Sequence, residues 1–226
     1  MLKLLTRTLN IGGFLIVLYA SYLLILLSIP YLQFERNIDF LSTKQLIYHI
    51  KIWRFSFYAH VFSSPVIILS GLLQFNKTIL RRFPKVHRTI GKIYVFTVLA
   101  ISGPSAFVMA LYANGGRITQ TSFVILTSLW ILFTYLAFVR IKSKKIEAHI
   151  NWMIRSYALT ISAITLRTYA YLFDVFRVDL SPKEMYCILA YASWIPNLLI
   201  AEVIIKLRRK KPYLDSEANS PSISED

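Results

Sequence analysis

Residues 93–139 read IYVFTVLAISGPSAFVMALYANGGRITQTSFVILTSLWILFTYLAFV. Two apolar runs, each about 20 residues long, flank Asn114-Gly115-Gly116-Arg117. A helix needs about 20 mostly apolar residues, at about 1.5 Å each, to cross about 30 Å of hydrocarbon. The polar, glycine-rich break is a turn signal, so the stretch predicts an antiparallel helical hairpin in a membrane. Working outward, runs of similar length fall at roughly 11–30, 55–75, 156–176 and 185–206. With the hairpin they predict an all-α integral membrane protein: six transmembrane helices in a bundle, with spans two to five as the core. Lys3 and Arg7 precede the first run in the manner of a signal peptide. That run exceeds the usual 7–15 residues of a signal and no A-x-A-like site follows, so it is read as a retained helix.

Composition agrees. Of 226 residues, 56% are hydrophobic, 15% aromatic and 16% charged, against about 25% charged in soluble domains. The mean hydropathy is +0.53. Such a chain is too apolar and aromatic for disorder. A single cysteine, Cys187, cannot close a bridge within the chain, which excludes a disulfide scaffold. The net charge of +15, from 26 basic and 11 acidic residues, is informative through its placement. One set of alternate segments carries Lys77, Arg81, Arg82, Lys85, Arg88 and Lys92, then Arg140, Lys142, Lys144 and Lys145, then Lys206 and Arg208 to Lys211. The other set carries far fewer basic residues. The positive-inside rule places the richer side, and with it both termini, in the cytoplasm. The basic loops are therefore suited to anionic membrane lipids. They contain no module for reading nucleic acid, and none is expected as a partner.

Four regions follow: 1–54, the first helix plus an outer segment; 55–176, the four-helix core; 177–211, the sixth helix and its basic end; and 212–226, an acidic tail read as disordered. Within the first, Ser42 is positioned to cap a helix, and Leu46, Ile47, Ile50 and Trp53 recur at helical spacing. This predicts a short interfacial helix over 42–54.

The fifth span is the least apolar, since it contains Arg167 and ends at Asp174. A charge in hydrocarbon costs about 2.5–3.5 kcal/mol, so it must face protein or water. Ser156, Thr160, Ala163, Arg167, Ala170 and Asp174 recur at steps of four and three, one helix face that should turn into the bundle. Arg155 lies near the cytoplasmic boundary, about 18 Å from Arg167 along a helix. Two readings of Arg167 stay open. One is a structural ion pair, with Asp174 as a partner. The other is an anion site in which Arg167, His60, Asp174, Thr160 and Arg155 contribute to ligand binding. Glu202, near the end of span six, is placed to pair with Arg155 or Lys206. His87 and His149 precede the third and fifth spans and form a second candidate pair, since imidazole ligates haem iron. No metal-ligand cluster, phosphate loop or nucleophile motif occurs. Pro65, Gly103-Pro104 and Pro196-Asn197 lie inside spans and predict kinks.

Two stretches carry a resemblance. One is Gly71-Leu-Leu-Gln74-Phe75 with Arg82-Phe83-Pro84-Lys-Val-His87-Arg88-Thr-Ile-Gly91-Lys-Ile-Tyr94. The other is His149-Ile-Asn-Trp152-Met153-Ile-Arg155-Ser156-Tyr157-Ala158-Leu159-Thr160, continuing to Thr165-Leu166-Arg167. With Gly115-Gly116 and Trp130 between them, they resemble the bacterial membrane family known as domain of unknown function 2306. The resemblance covers roughly residues 55–175 and leaves the first and last spans as additions. It implies a polytopic membrane protein and one shared arrangement of His60, His87, Arg88, His149, Arg155 and Arg167, with no activity to carry over. A looser similarity is to two-haem transmembrane cytochromes b of the ascorbate-linked type, in which histidines pair across alternate helices. There His87 and His149 would form one pair and His60 half of another, but the fourth span has no histidine.

The expectation is thus a multi-pass protein of the bacterial cytoplasmic membrane with a buried cationic site for an anionic or polar small molecule, cofactor or lipid. Two alternatives stand beside it: an electron-transfer protein with one haem b between His87 and His149, and a membrane enzyme acting on a lipid or quinone.

Overall fold

The computed structural model describes the chain from residue 2 to 218, with side chains from 12 to 209. Among these residues all regular structure is helical. The elements are α1 (Leu2–Ser28), α2 (Asp39–Ser42), α3 (Lys51–Gln74), α4 (Lys77–Arg82), α5 (Pro84–Phe96), α6 (Gly103–Leu111), α7 (Arg117–Lys142), α8 (Ile146–Val175), α9 (Pro182–Ala192) and α10 (Ile195–Ala218). Five stretches are long and apolar enough to cross a membrane: Gly12–Gln33, Lys51–Gln74, Pro84–Leu111, Arg117–Lys142 and Pro182–Arg209. At 30 residues α8 has the length as well, but Arg167 and its hydroxyl-bearing side chains dilute its apolar character.

Prolines and glycines explain where the long helices bend or stop. Pro104 has no N–H to donate and its ring crowds the preceding turn. The chain answers with a π-helical turn at Thr97–Ser102 that joins α5 to α6. Gly103 follows because a side chain there would collide with the Val98 carbonyl and Ile131. The α6–α7 turn sets Gly115 at φ +91° and Gly116 at φ +84°, a region open to glycine at no steric cost. The last apolar run is broken between α9 and α10 at Ser193-Trp194, just ahead of Pro196. Helical backbone in α10 continues to Ala218, past the point where the acidic tail was expected to begin; residues 219–226 lie outside the described ones.

The interfacial helix expected at 42–54 is not formed. Ser42 ends α2, its hydroxyl bonded to the Asp39 carbonyl. Residues 43–49 are turns held by Arg36 and Gln45, each donating to the other's backbone carbonyl. Trp53 belongs to α3 and is fully buried, whereas Leu46 is 90% exposed. The physical reason is Lys44, which is drawn inward until 4% of it remains exposed. Its ammonium donates to the Tyr112 carbonyl and to Asn114 Oδ1, which ties this segment to the α6–α7 turn.

The main core gathers Ile67, Leu72, Tyr94, Val98, Trp130, Met153, Tyr157 and Trp194. Its elements are therefore α3, α5 with its π turn, α7 and α8, closed by Trp194. The pairing of α7 with α8 is the most extensive. A smaller aromatic cluster of Tyr31, Leu41, Trp53 and Phe57 sits under the 29–50 segment.

Gly71 lets Tyr157 lie against α3, where its hydroxyl reaches the Ile68 carbonyl. A Cβ at Gly71 would overlap the Tyr157 ring. Gly71→Ala is expected to destabilise the protein by about 1–3 kcal/mol, read as a lower unfolding midpoint in detergent. Lys44 generates a pH prediction. Burial lowers its ammonium from the ordinary 10.5 to about 8. Between those values the folded state holds fewer protons than the unfolded one, so stability rises as pH climbs from 8 towards 10.5. The gain relative to Lys44→Met is expected to be roughly 1–3 kcal/mol. Equal pH slopes for the two proteins would contradict it.

Candidate functional site

A cavity of about 70 Å³ lies where α1, α3 and α8 meet. From α1 and the 3₁₀ turn that follows it come Leu24, Leu27, Ser28 and Tyr31; α3 adds His60, Val61, Ser64 and Pro65; α8 adds Ala163 and Arg167. The expected approach of His60 to Arg167 is thus present. The cavity also takes in Tyr31, Ser28 and Ser64, which the sequence reading did not single out. Ser64 was detectable, because it lies four residues beyond His60 and so shares its helix face. Tyr31 was not, since only the 3₁₀ turn at Ile29–Gln33 brings it back over α3.

Helical side chains lean toward the N-terminus, so Arg167 reaches back one turn and donates from one terminal guanidinium nitrogen to the Ala163 carbonyl at 3.0 Å. The same lean carries it away from Asp174, which lies two turns further on. Asp174 is exposed and takes no part in the cavity. Among the described residues the ion pair that forms is Arg155 with Glu202, so the pairing of Arg167 with Asp174 is not made. Arg167 itself is exposed on one flank.

His60 is held from behind by the π turn. Its Nδ1 lies 3.0 Å from Ser102 Oγ and 3.3 Å from the Ser102 carbonyl. A protonated Nδ1 donates to the carbonyl, and an unprotonated one accepts from the hydroxyl. Either way Nε2 has no protein partner among the described residues. Ser64 and Ser28 spend their protons on the carbonyls of His60 and Leu24. The Tyr31 hydroxyl accepts from the Phe40 N–H at 3.3 Å and keeps its own proton to give. A guanidinium has five N–H donors and no acceptor. The cavity is therefore rich in donors, positively charged and free of any bonded carboxylate among the described residues.

The other candidate residues lie elsewhere. Thr160 is buried two turns before Arg167 in a closed hydroxyl lattice. Tyr94 Oη lies 2.7 Å from Ser156 Oγ and 2.8 Å from Thr160 Oγ1; Ser156 also meets Thr134 at 2.7 Å, and Trp130 Nε1 donates to Thr160 at 3.0 Å. The predicted stripe on α8 thus faces inward at Ser156 and Thr160, borders the cavity at Ala163 and Arg167, and emerges at Asp174. Arg155 donates from Nε and a terminal nitrogen to the two Glu202 oxygens, the second at 2.8 Å, and its guanidinium stacks 4.6 Å above Trp152. The pairing of Glu202 with Arg155 is as expected.

His87 and His149 are near enough to act on one another electrostatically. His149 Nδ1 bonds the Ala137 carbonyl at 2.8 Å, while His87 Nδ1 is buried without a partner. Gln74 Nε2 closes on the His87 carbonyl. Among the described residues no three His, Cys, Asp or Glu side chains assemble as a metal site, and the haem reading gains no support.

No curated protein and no solved structure matches the chain. A family model does, over residues 57–205. The matched stretch contains both motif segments and extends through α9 into α10, so the last span is part of the shared arrangement rather than an addition to it. It also contains the α3 and α8 walls of the cavity, whereas the α1 wall lies outside it. The matching model is that of the predicted membrane proteins DUF2306, and the chain belongs to that family.

Proposed function

We propose that the protein is a six-span receptor for an anionic group in the cytoplasmic membrane, with Arg167 as the charge that binds it. The observation carrying this reading is the pairing pattern on one helix. Arg155 has a bidentate carboxylate, whereas Arg167, beside a cavity, has a single backbone carbonyl. In a medium without water an unpaired guanidinium is costly. An anion in the cavity would accept from Arg167, from Tyr31 and from a protonated His60 Nε2. Thr160 and Arg155 then serve the frame: the first pins α8 to α5 and α7, the second pins α8 to α10.

The six-span arrangement counts α8 with the five apolar stretches. Its polar side chains are absorbed by the hydroxyl lattice, and its length exceeds what a bilayer requires. Both termini then lie in the cytoplasm, with the basic ends of α4–α5, α7 and α10 at anionic headgroups. The cavity belongs to the opposite half.

Two measurements test this. Alkaline phosphatase fused after Asn114 is expected to be active and, after Ser143, inactive; the reverse pattern refutes the orientation. Native mass spectrometry of the protein released from its own membrane is expected to show a co-purifying anionic adduct. Charge-assisted hydrogen bonds of about 1.5–3 kcal/mol make Arg167→Gln weaken it roughly 10- to 150-fold. Full retention of the adduct in that variant contradicts the assignment.

A further inference from the structure

The cavity is far smaller than a site for a whole ligand. Its volume of about 70 Å³ is well below the roughly 300–1,000 Å³ of pockets that take drug-sized ligands. Only the end of a molecule fits, and the rest must leave through an opening. Toward the 29–50 segment the cavity wall is Tyr31, and an aromatic cluster packs behind it. Tyr31 meets Phe57 edge-on at 5.1 Å, Phe40 stacks on Phe57 at 5.9 Å, and Phe34 covers Tyr58 at 4.9 Å. The α3 side is closed by the π turn behind His60.

The remaining side is the seam between α1 and α8. There α1 rests on α3 and barely touches α8. Leu27, which lines the cavity, is 53% exposed, and Leu23 one turn earlier is 40% exposed. Arg167 and Thr168 are exposed on the facing helix. On this side Leu23 and Leu27 present apolar surface next to the Arg167 guanidinium.

From this geometry, and resting on the anion-site reading above, we infer that the ligand is a single-chain amphiphile. Its carboxylate or phosphate end enters the cavity from the bilayer to meet Arg167, and its acyl chain lies along the α1/α8 seam. The bilayer concentrates such a molecule at the opening, while toward the 29–50 segment a water-borne anion meets the aromatic cluster behind Tyr31.

The test uses the full-length protein in neutral maltoside micelles, with thermal unfolding followed by tryptophan fluorescence. The probes are oleate, lysophosphatidate, the uncharged monoolein, acetate and inorganic phosphate. Oleate or lysophosphatidate is expected to raise the midpoint at micromolar concentration, and Arg167→Gln to shift the half-effective concentration at least tenfold. Whichever of the two is the tighter identifies the end group. Monoolein, acetate and phosphate are expected to have no effect below a thousandfold higher concentration. Ala163→Leu, which fills the cavity and keeps the carbonyl that Arg167 uses, is expected to abolish the shift and stands in should Arg167→Gln fail to fold. If acetate or phosphate acts as strongly as oleate and depends on Arg167, the anion site holds and the amphiphile is refuted. If monoolein matches oleate, charge is not read and both assignments fall. They fall equally if oleate and lysophosphatidate act alike on wild type and Ala163→Leu, or not at all.

Discussion

A polar group inside a bilayer has no water to turn to, and that constraint arranges this chain more than any other. The clearest product is the lattice centred on Tyr94. Five side chains from three helices satisfy one another there: Tyr94 from α5, Trp130 and Thr134 from α7, Ser156 and Thr160 from α8. Each such bond contributes about 0.6 kcal/mol on average in a membrane protein, so the set matters less for its sum than for its geometry. A hydroxyl accepts a partner only at a fixed distance and angle, and the lattice therefore sets the depth and rotation of α8. Arg167, two turns beyond Thr160 on the same helix, is placed by that anchor.

The same constraint shapes the opposing wall. Pro104 removes a donor and forces the wider turn at Thr97–Ser102. In an ordinary soluble helix water would repair such a defect. Here Ser102, fully buried, directs its hydroxyl and carbonyl at His60. The irregular turn thus becomes the support that orients an imidazole toward the cavity, in keeping with the frequent placement of π turns at functional sites. Neither wall is autonomous. One depends on a lattice three residues from its nearest cavity-lining residue, the other on a helix defect in a different span.

These dependencies explain what sequence alone could show. Five of the apolar runs, the Gly115-Gly116 turn and the inward stripe at Ser156 and Thr160 follow from period and composition, and these are present. So is the depth match of His60 with Arg167, because rise per residue is the same in every helix. The direction of an arginine side chain is a finer matter. Asp174 and Arg167 share a face, but a helix leans its side chains toward its N-terminus, and spacing counted in residues is blind to that lean. The segment over 42–54 departs from its helical periodicity for a related reason. Periodic Leu46, Ile47 and Ile50 imitate a helix, whereas the decisive event is the burial of Lys44 against Tyr112 and Asn114, nearly seventy positions away in sequence. The α1 wall was invisible because Ser28 and Tyr31 acquire meaning only after α1 has packed on α3.

The two arginines of α8 carry the functional argument furthest. Both lie on α8, among helices apolar enough to cross a membrane. Arg155 has Glu202, two charge-assisted bonds and an indole face, and is thereby fully committed. With Glu202 half exposed, such a pair adds little net stability, and its bidentate geometry serves to hold α8 against α10. Arg167 has a carbonyl for one of its five donors and open volume beside the rest. Had its role been to brace the bundle, an internal carboxylate would have done so at no risk, as it does twelve residues earlier. On the reading proposed above, leaving the guanidinium without one would lower the stability of the empty protein and raise its affinity for an anion, since the ligand would then supply the missing partner. That exchange of intrinsic stability for binding is what separates a site from a brace, and on α8 the two stand side by side.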